Sequence, residues 1–532
     1  MARTRAFRQL IRLFLQAQQA NLQAQGQPPT TVSVAHPWRR RKFLKLAVIA
    51  GGSAITTQLV AHPPLALGSN APKIAIIGAG IAGLNAAYQL KKMGIGSTVY
   101  EARSRLGGRM QSVTGAIGPE LVSDLGGSLI NTDHEDMLNL VREFGLTLFD
   151  RTQDPTMNDL PPTGYYFNNA RRYEAEVAEK LRPLAQQISR DARLLDQDFD
   201  TYAPQFDRLS VKAYLDLHQN KISDPFIREL IENTIRTEYG VEPSQSSALQ
   251  LLFVLPVVKG NRVELLSTSD EAFVVQEGSG AIIDRLSQAL TGQIRTQMSL
   301  TKLQSQGNRY RLTFKNGQVI DTDYVIFTIP FTVARSIDIQ VDLPASFRKM
   351  IRELNLGQND KILAGFSQKL WRQPFGFGSE LWTDLGFSEV WDDTQRQPRN
   401  DGALSFFFGG NEVKAIQSGS AQTQGRRMVS LLSQVIPNIM AVATDRFIRT
   451  HWTIDPFTKG GYTTFQPGQL TEFSEFIYIE ADTADERQEV RFGNLLFAGE
   501  HLSDGFYGFM NGAAETGRLA ALSILRQLGK VP

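Results

Sequence analysis

A glycine-rich fingerprint around residue 80 constrains the fold of this chain more strongly than any other feature. Residues 74–77 form a short apolar run that predicts a buried parallel strand, and residues 84–93 have the spacing of a helix. Between them lies G-x-G-x-x-G, at Gly78, Gly80 and Gly83. The first glycine permits a tight turn, the second lets a pyrophosphate approach the backbone, and the third lets helix and strand pack closely. The stretch therefore predicts a Rossmann-like βαβ unit that binds a dinucleotide.

The residues that follow this unit favour FAD over NAD. A second predicted strand, residues 98–100, ends at Glu101, where a carboxylate can accept hydrogen bonds from both ribose hydroxyls of an adenosine. The free N–H groups at the start of the helix suit the phosphates. The chain continues as E-A-R-x-R-x-G-G-R, which resembles the extended signature of two-dinucleotide-binding-domain flavoproteins. In that signature a second glycine pair and an arginine reach the FAD pyrophosphate; a solvated basic loop is the alternative.

A second signature lies near the C-terminus. Residues 495–498 predict a strand, Gly499 and Glu500 a turn, and residues 512–525 a helix. The N-terminus of such a helix can stabilise a reduced, anionic isoalloxazine ring, and Glu500 would bind the ribityl or pyrophosphate portion. A plain C-terminal βα unit is the alternative for this segment taken alone.

With both ends in place, the chain resembles the flavin amine oxidase family, which includes monoamine oxidases, polyamine oxidases and L-amino acid oxidases. The resemblance runs from Lys73 to the C-terminus and is most specific in the fingerprint, in residues 460–465 and in residues 497–517. It implies an α/β fold, in which an FAD-binding Rossmann-like domain is assembled from discontinuous segments beside an α+β substrate domain with a helical insertion. Where cysteinyl-flavin members have a cysteine, this chain has Gly461, and it contains no cysteine at all. The FAD is therefore expected to be non-covalent.

The resemblance also implies site residues. Tyr462 and Phe509 match two aromatic rings that face the flavin, and Lys361 matches a lysine that holds a water near flavin N5. Two core aromatics and a strand-edge surface lysine are the alternatives. The cofactor-binding positions are expected to be Gly78, Ala79, Gly80, Ile81, Ala82, Gly83, Glu101, Ala102, Arg103, Gly107, Gly108, Arg109, Gly126, Gly127, Ser128, Leu300, Gly499, Glu500, Phe509 and Met510.

The predicted domain order alternates between cofactor and substrate segments. FAD-binding segments are expected over residues 67–150, 271–330 and 451–532, a helical substrate region over 151–270, and a substrate-binding region over 331–450.

The implied reaction is oxidative deamination, with hydride transfer from the substrate Cα to FAD and reduction of O₂ to H₂O₂. The imine product then hydrolyses to a carbonyl compound and ammonia. An L-amino acid substrate needs a cation for its carboxylate, but the expected segment, residues 127–130, has no arginine. Arg171, Arg172, Arg236 or another residue could supply it. The segment 460–469 and an exported, anchorless form favour an L-amino acid oxidase, with a monoamine or polyamine oxidase as the alternative.

Other classes fit the sequence less well. A carotenoid-type desaturase or protoporphyrinogen oxidase would share the FAD scaffold but would not need the Tyr462/Phe509 pair, and a non-catalytic flavoprotein is the non-enzyme alternative. A net charge of +2 gives no reason to expect nucleic acid as a partner, and the six histidines show no metal-site spacing. A homodimer stays open.

The first 66 residues resemble an export leader. Arg40–Lys45 matches the twin-arginine pattern R-R-x-F-L-K, and residues 46–60 are modestly apolar. The twin-arginine machinery carries folded proteins, which suits a protein that loads FAD before export to the periplasm or beyond. Before the motif, residues 16–27 predict a weak helix. A basic leader with a chance match is the alternative.

Overall fold

The computed structural model describes residues 5–27, 32–34, 71–155, 160–161, 163–259, 262–265 and 269–531. The twin-arginine motif Arg40–Lys45 and the apolar stretch behind it lie outside these residues, so export remains a prediction. Within the described part of the chain, no helix has the length and apolar character needed to cross a membrane.

A six-stranded sheet forms the centre of the cofactor domain. Its strands lie in parallel except for the last, which is an antiparallel edge strand. The central strands are completely buried because helices cover both faces, as a run of apolar residues without alternation predicts. From edge to edge the strands are Ile294–Arg295, Thr98–Tyr100, Ile74–Ile77, Tyr324–Phe327, Leu495–Phe497 and Arg491–Phe492.

Two helices from opposite ends of the sequence pack together against this sheet. They are the fingerprint helix Ile81–Lys92 and the C-terminal helix Met510–Gln527. A Cβ atom on Gly517 would lie 2.1 Å from the carbonyl oxygen of Ala82, so only glycine allows this close contact. The contact joins the two predicted cofactor signatures into one unit.

The substrate domain contains a mainly antiparallel seven-stranded sheet. Its two longest strands are buried along their whole length, because both faces of the sheet are covered. The strands in spatial order are Ala443–Arg449, Asn359–Phe366, Gly402–Gly409, Glu389–Asp392, Glu380–Thr383, Thr163–Phe167 and Ala170–Arg172.

Smaller sheets complete the described structure. One has four strands, Val319–Thr322, Arg309–Phe314, Leu300–Gln306 and Asp338–Gln340. Two have three strands, one of Ser33–Val34, Arg262–Leu265 and Val257–Lys259, the other of Leu129–Ile130, Phe273–Val275 and Leu148–Asp150. Two-stranded pairs are Asn355–Leu356 with Thr463–Thr464 and Ser112–Thr114 with Val122–Asp124.

The other helices are divided between the two domains. Those of the helical substrate region are Glu174–Gln197, Phe199–Asp207, Val211–Leu217, Pro225–Tyr239 and Ala248–Leu252. The rest are Glu135–Glu143, Gly280–Ala289, Phe331–Ala334, Ala345–Glu353, Asn411–Gln417, Ala421–Leu432 and Gln469–Glu472.

The N-terminal helix, Arg5–Ala24, is part of the substrate domain. The sequence predicts only a weak helix over 16–27 within a leader, whereas the structure has a 20-residue helix that begins at Arg5. Its apolar positions 7, 10, 14 and 17 follow helical spacing and lie in the same hydrophobic core as the helices after residue 174. Gln18 Nε2 also donates to the carbonyl oxygen of Ala185 at 2.7 Å and to Ser189 Oγ at 2.8 Å. The helix is stabilised mainly by burial of its apolar face against the rest of the domain, and helix propensity alone does not predict this contribution.

Candidate functional site

A cavity of about 810 Å³ runs from the fingerprint glycines to the start of the C-terminal helix. The positions predicted to bind cofactor line most of it. Those that line it are Gly78, Gly80, Ile81, Ala82, Glu101, Ala102, Arg103, Gly107, Gly108, Arg109, Gly127, Leu300, Gly499, Glu500, Phe509 and Met510.

Four predicted cofactor positions do not line this cavity. Gly83 acts through packing, because a Cβ there would lie 2.0 Å from the carbonyl oxygen of Gly78. Ala79 contributes its backbone N–H to the Glu101 carboxylate. Gly126 and Ser128 line a second, smaller cavity instead.

The fingerprint end of the cavity has the shape that a dinucleotide needs. Gly78 has a φ of 109°, a conformation that favours glycine, and a Cβ on Gly80 would meet no atom within 4 Å. Open space over a glycine backbone is what close approach of a pyrophosphate requires. Glu101 is held by the backbone N–H groups of Ala79 and Arg103 at 2.8 and 2.9 Å, which orients its carboxylate at the cavity wall.

Two of the predicted arginines are engaged by carboxylates. Arg103 makes a bidentate pair with Asp455, with N–O distances of 2.6 and 2.7 Å, so it braces the wall of the cavity. Arg109 Nη1 donates to Glu500 Oε1 at 2.8 Å and to the carbonyl oxygen of Gly461 at 2.6 Å. Arg109 therefore ties the first signature to the second across the cavity.

The residues at the other end also fit a flavin. His501 is buried, lines the cavity, and has no hydrogen-bond partner for Nδ1 among the described residues. Burial lowers the pKa of His501 to about 4, so the ring is neutral at physiological pH. The C-terminal helix begins at Met510 without a side-chain cap, and its first turn lines the cavity at Met510 and Ala513. Glycine cradle, ribose carboxylate and helix N-terminus together match the parts of FAD.

A second cavity of about 140 Å³, here called the chamber, adjoins the first. Tyr462 and Phe509 line both cavities, so the predicted aromatic pair lies at their junction. The Tyr462 hydroxyl donates to the carbonyl oxygen of Thr237 at 2.9 Å, and Phe509 packs edge-on against the His134 ring at 4.8 Å. Both rings are thus held in place where the chamber opens toward the cofactor cavity.

Lys361 lies in the wall of the chamber and is buried. Its Nζ donates to the carbonyl oxygen of Gly126 at 2.8 Å and to that of Asp124 at 3.3 Å, which leaves donor capacity for one further partner. Burial lowers the pKa of Lys361, although nearby carboxylates, Asp393 first, partly offset the effect. The strand-edge surface alternative is wrong, because the strand Asn359–Phe366 lies inside the sheet.

The structure adds chamber residues that the sequence did not indicate. Trp391 forms one wall, with the Arg5 guanidinium 5.0 Å and Lys361 Nζ 5.2 Å from its ring centre. Glu389, two residues before Trp391, also lines the chamber and is 1% exposed. Arg5 comes from the N-terminal helix. In the sequence, only the helical spacing of the neighbouring apolar residues indicated this helix, and the segment was predicted to be part of an export leader.

The candidate carboxylate-binding arginines named from the sequence lie elsewhere. Arg171 donates to the carbonyl oxygen of Val435, and Arg236 pairs with Glu242 at 3.0 Å. Arg172 lies over the ring of Phe226. None of the three lines the chamber. Among the described residues, no group of three or more histidine, cysteine, aspartate or glutamate residues could hold a metal ion.

The fold and the two adjoining cavities are those of a flavin-dependent oxidoreductase. The family described as flavin containing amine oxidoreductases matches residues 81–525, and the chain belongs to this family. An FAD cofactor, an amine substrate and oxygen follow from that membership.

Known proteins resemble this one at low identity. The pig (Sus scrofa) flavin-containing amine oxidase A is 25% identical over 483 residues, which cover 86% of each chain. The dog (Canis lupus familiaris) amine oxidase B is 25% identical over 482 residues, covering 86% of this chain and 87% of the relative. Among solved structures, cyclohexylamine oxidase from Brevibacterium oxydans IH-35A has a TM-score of 0.72 at 21% identity and covers 86% of this chain and all of its own. A putrescine oxidase variant has a TM-score of 0.70 at 21% identity, covering 86% of this chain and 99% of its own. The two structures support the fold.

Proposed function

We propose that the protein oxidatively deaminates L-amino acids, giving a 2-oxo acid and ammonia while O₂ is reduced to H₂O₂. The observation that carries this proposal is the buried Arg5 guanidinium in the wall of the chamber. Simple amines have no group that such a cation would bind, whereas an α-carboxylate is its natural partner.

Arg5 lines the chamber and has unused hydrogen-bonding capacity. Neither its Nε nor its Nη1 has a hydrogen-bond partner among the described residues. Its ion-pair contact with Glu380 Oε2 is long, at 4.0 Å. Because buried guanidinium donors without a hydrogen bond are costly, a carboxylate placed against Nε and Nη1 would be bound strongly. Arg5 is thus proposed to bind the substrate carboxylate, a role for which residues 127–130 contain no arginine.

The other chamber residues suit the deamination of an amine. Bound FAD supplies the acceptor for two electrons and a hydrogen from the substrate Cα. Tyr462 and Phe509 confine the substrate nitrogen at the junction of the cavities and exclude water. Lys361, with its lowered pKa and its remaining donor capacity, can hold a water and pass a proton at Nζ.

A simple amine is the second candidate substrate. The similar proteins named for their substrates are a cyclohexylamine oxidase and a putrescine oxidase, and the curated relatives are amine oxidases. At this similarity the chamber could differ in specificity from each of them. The presence of Arg5 favours the amino acid.

Peroxide release from the FAD-loaded protein tests the proposal. The panel contains the L-amino acids beside tyramine, benzylamine, putrescine and cyclohexylamine. We expect peroxide and flavin bleaching with L-amino acids and little with amines, because only amino acids satisfy Arg5. Each amino acid is paired with its decarboxylated amine, so that only the carboxylate differs. Turnover of the amines alone would contradict the proposal and favour the second candidate.

The FAD is proposed to be non-covalent, since Gly461 stands where a cysteinyl linkage would form and the chain has no cysteine. Acid precipitation should therefore move all yellow colour into the supernatant, with the absorbance spectrum of free FAD. Flavin absorbance that stays with the washed pellet would contradict this expectation.

A further inference from the structure

A cluster of buried charges reaches the chamber wall at Arg5 and Glu389. It contains three arginines and three glutamates, so its formal charges balance, and all six side chains except that of Arg8 are at least nine-tenths buried. Its members are Arg5, Arg8, Arg151, Glu271, Glu380 and Glu389.

Glu380 lies within ion-pair distance of two of the arginines but accepts no hydrogen bond from Arg5. It lies 4.0 Å from Arg5 and 3.7 Å from Arg8, and Oε1 accepts a hydrogen bond from Thr163 Oγ1 at 3.1 Å. Glu271 is buried away from the chamber. Glu389 is therefore the carboxylate of this cluster that lines the chamber; Arg5 and Arg8 act on it electrostatically, but neither donates a hydrogen bond to it.

The Glu389 carboxylate has nothing bound to it in the described structure. Neither oxygen has a hydrogen-bond partner among the described residues, and the side chain is 1% exposed, so bulk water does not compensate it. Burial, together with the neighbouring Glu380, raises the pKa of Glu389 well above its ordinary value. A cationic group entering the chamber would offset both effects.

Glu389 shares the chamber wall with Arg5 and Lys361 and interacts electrostatically with both. Glu389 and Trp391 are two residues apart on one strand, so their side chains point to the same side of the sheet, about 7 Å apart along the strand. Arg5 and Lys361 both lie against the Trp391 ring. When the α-carboxylate of a substrate binds Arg5 beside Trp391, the side chain of the substrate can extend along the same face of the strand to Glu389.

We infer that Glu389 binds a positively charged group at the end of the substrate side chain, so that the preferred substrates are basic L-amino acids. This inference rests on the proposed function, since it places the α-carboxylate at Arg5. A guanidinium suits Glu389 well, because its planar donors can fill both unpartnered oxygens at once. The positive charge of the substrate side chain then pairs with the Glu389 carboxylate, which otherwise has no hydrogen-bond partner.

The test compares L-arginine with L-citrulline, whose side chain has nearly the same shape but no charge. The wild-type protein should have a kcat/KM for L-arginine at least about 10-fold higher than for L-citrulline, the size expected for a charge-assisted pair. Glu389→Gln should lower kcat/KM for L-arginine by about 10- to 100-fold, mainly through KM, and change that for L-citrulline less than about 3-fold. An equal loss on both substrates would overturn the inference.

Binding without turnover provides a second readout. The two inhibitors 5-guanidinopentanoate and 5-ureidopentanoate lack the α-amine and differ only in side-chain charge. Perturbation of the FAD absorbance should show tighter binding of the guanidino compound to the wild type and equal binding to Glu389→Gln. Equal binding to the wild type would overturn the inference.

Glu412→Gln is the matched control. Glu412 lies outside the chamber and accepts a hydrogen bond at 2.8 Å from Ser388 Oγ, and Ser388 is the residue just before Glu389. It should leave the preference for L-arginine unchanged.

The outcomes separate the two proposals. Turnover of neutral L-amino acids without a preference for L-arginine overturns the Glu389 subsite alone. Oxidation of putrescine but of no amino acid, lost in Glu389→Gln, overturns the amino acid function and retains Glu389 as the site of a distal cation.

Discussion

Replacing Arg5 with methionine should lower kcat/KM for L-amino acids by about 10²- to 10³-fold, the range expected when one partner of a buried charge pair is removed. Most of the loss should appear in KM, because Arg5 binds a carboxylate that does not react. The matching decarboxylated amines should lose little or gain, since a buried cation that repels their ammonium form is gone. Steady-state peroxide assays on amino acid and amine pairs measure both effects.

Arg8→Met is the matched control for this experiment. Arg8 lies on the same helix and in the same charge cluster, but it donates to the carbonyl oxygen of Asp270 at 2.8 Å and does not line the chamber. Equal losses in Arg5→Met and Arg8→Met would show that charge balance or helix docking is responsible, and would contradict carboxylate binding. Arg5→Lys should restore part of the affinity, because it keeps the charge and loses the bidentate geometry.

Lys361→Met should lower kcat by about 10²-fold or more, the scale of a positioned proton-transfer group, while FAD stays bound. The wild-type kcat should rise with pH as Lys361 loses its proton. Burial lowers the pKa of Lys361, so this limb should fall below the pH at which an ordinary lysine titrates. In Lys361→Met the limb should disappear. Stopped-flow reduction of the flavin by an L-amino acid, followed across pH, measures the rate and the limb together.

Lys369→Met is a close control for Lys361→Met. Lys369 is also buried, has a pKa lowered by burial, and donates from Nζ to the carbonyl oxygens of Thr394 and Gln397, both at 2.9 Å. It does not line the chamber. If both variants lose activity in parallel, the loss reflects general damage to the fold. Flavin reduction by Lys361→Met at the wild-type rate would remove Lys361 from the mechanism.

The α/β cofactor fold followed from local sequence because its requirements are local. Gly78 has a φ of 109°, Gly83 faces the carbonyl of Gly78 across one turn, and Glu101 directly follows the next strand. Each requirement acts over a few residues, so residue type and spacing express it directly. The family resemblance rests on the same spacing, which is why the flavin amine oxidase fold could be predicted and was confirmed by comparison.

The contacts between distant segments could not be predicted in this way. Arg103 matches the cofactor signature, but it pairs with Asp455, which lies 352 residues away. Arg109 pairs with Glu500 across 391 residues. No local pattern states which of several arginines meets which carboxylate, since ion pairing depends on the path of the whole chain.

The sequence by itself determined the FAD-binding unit and the absence of any cysteine for a covalent flavin. Lys361, Tyr462 and Phe509 were predicted as site residues from the family resemblance. Only the tertiary structure decided that the first helix belongs to the substrate domain and brings Arg5 into the chamber beside Glu389 and Trp391. The reason is physical. The glycine fingerprint is built from one continuous segment. The chamber is made where segments hundreds of residues apart bury their charges together, and that burial depends on the completed fold.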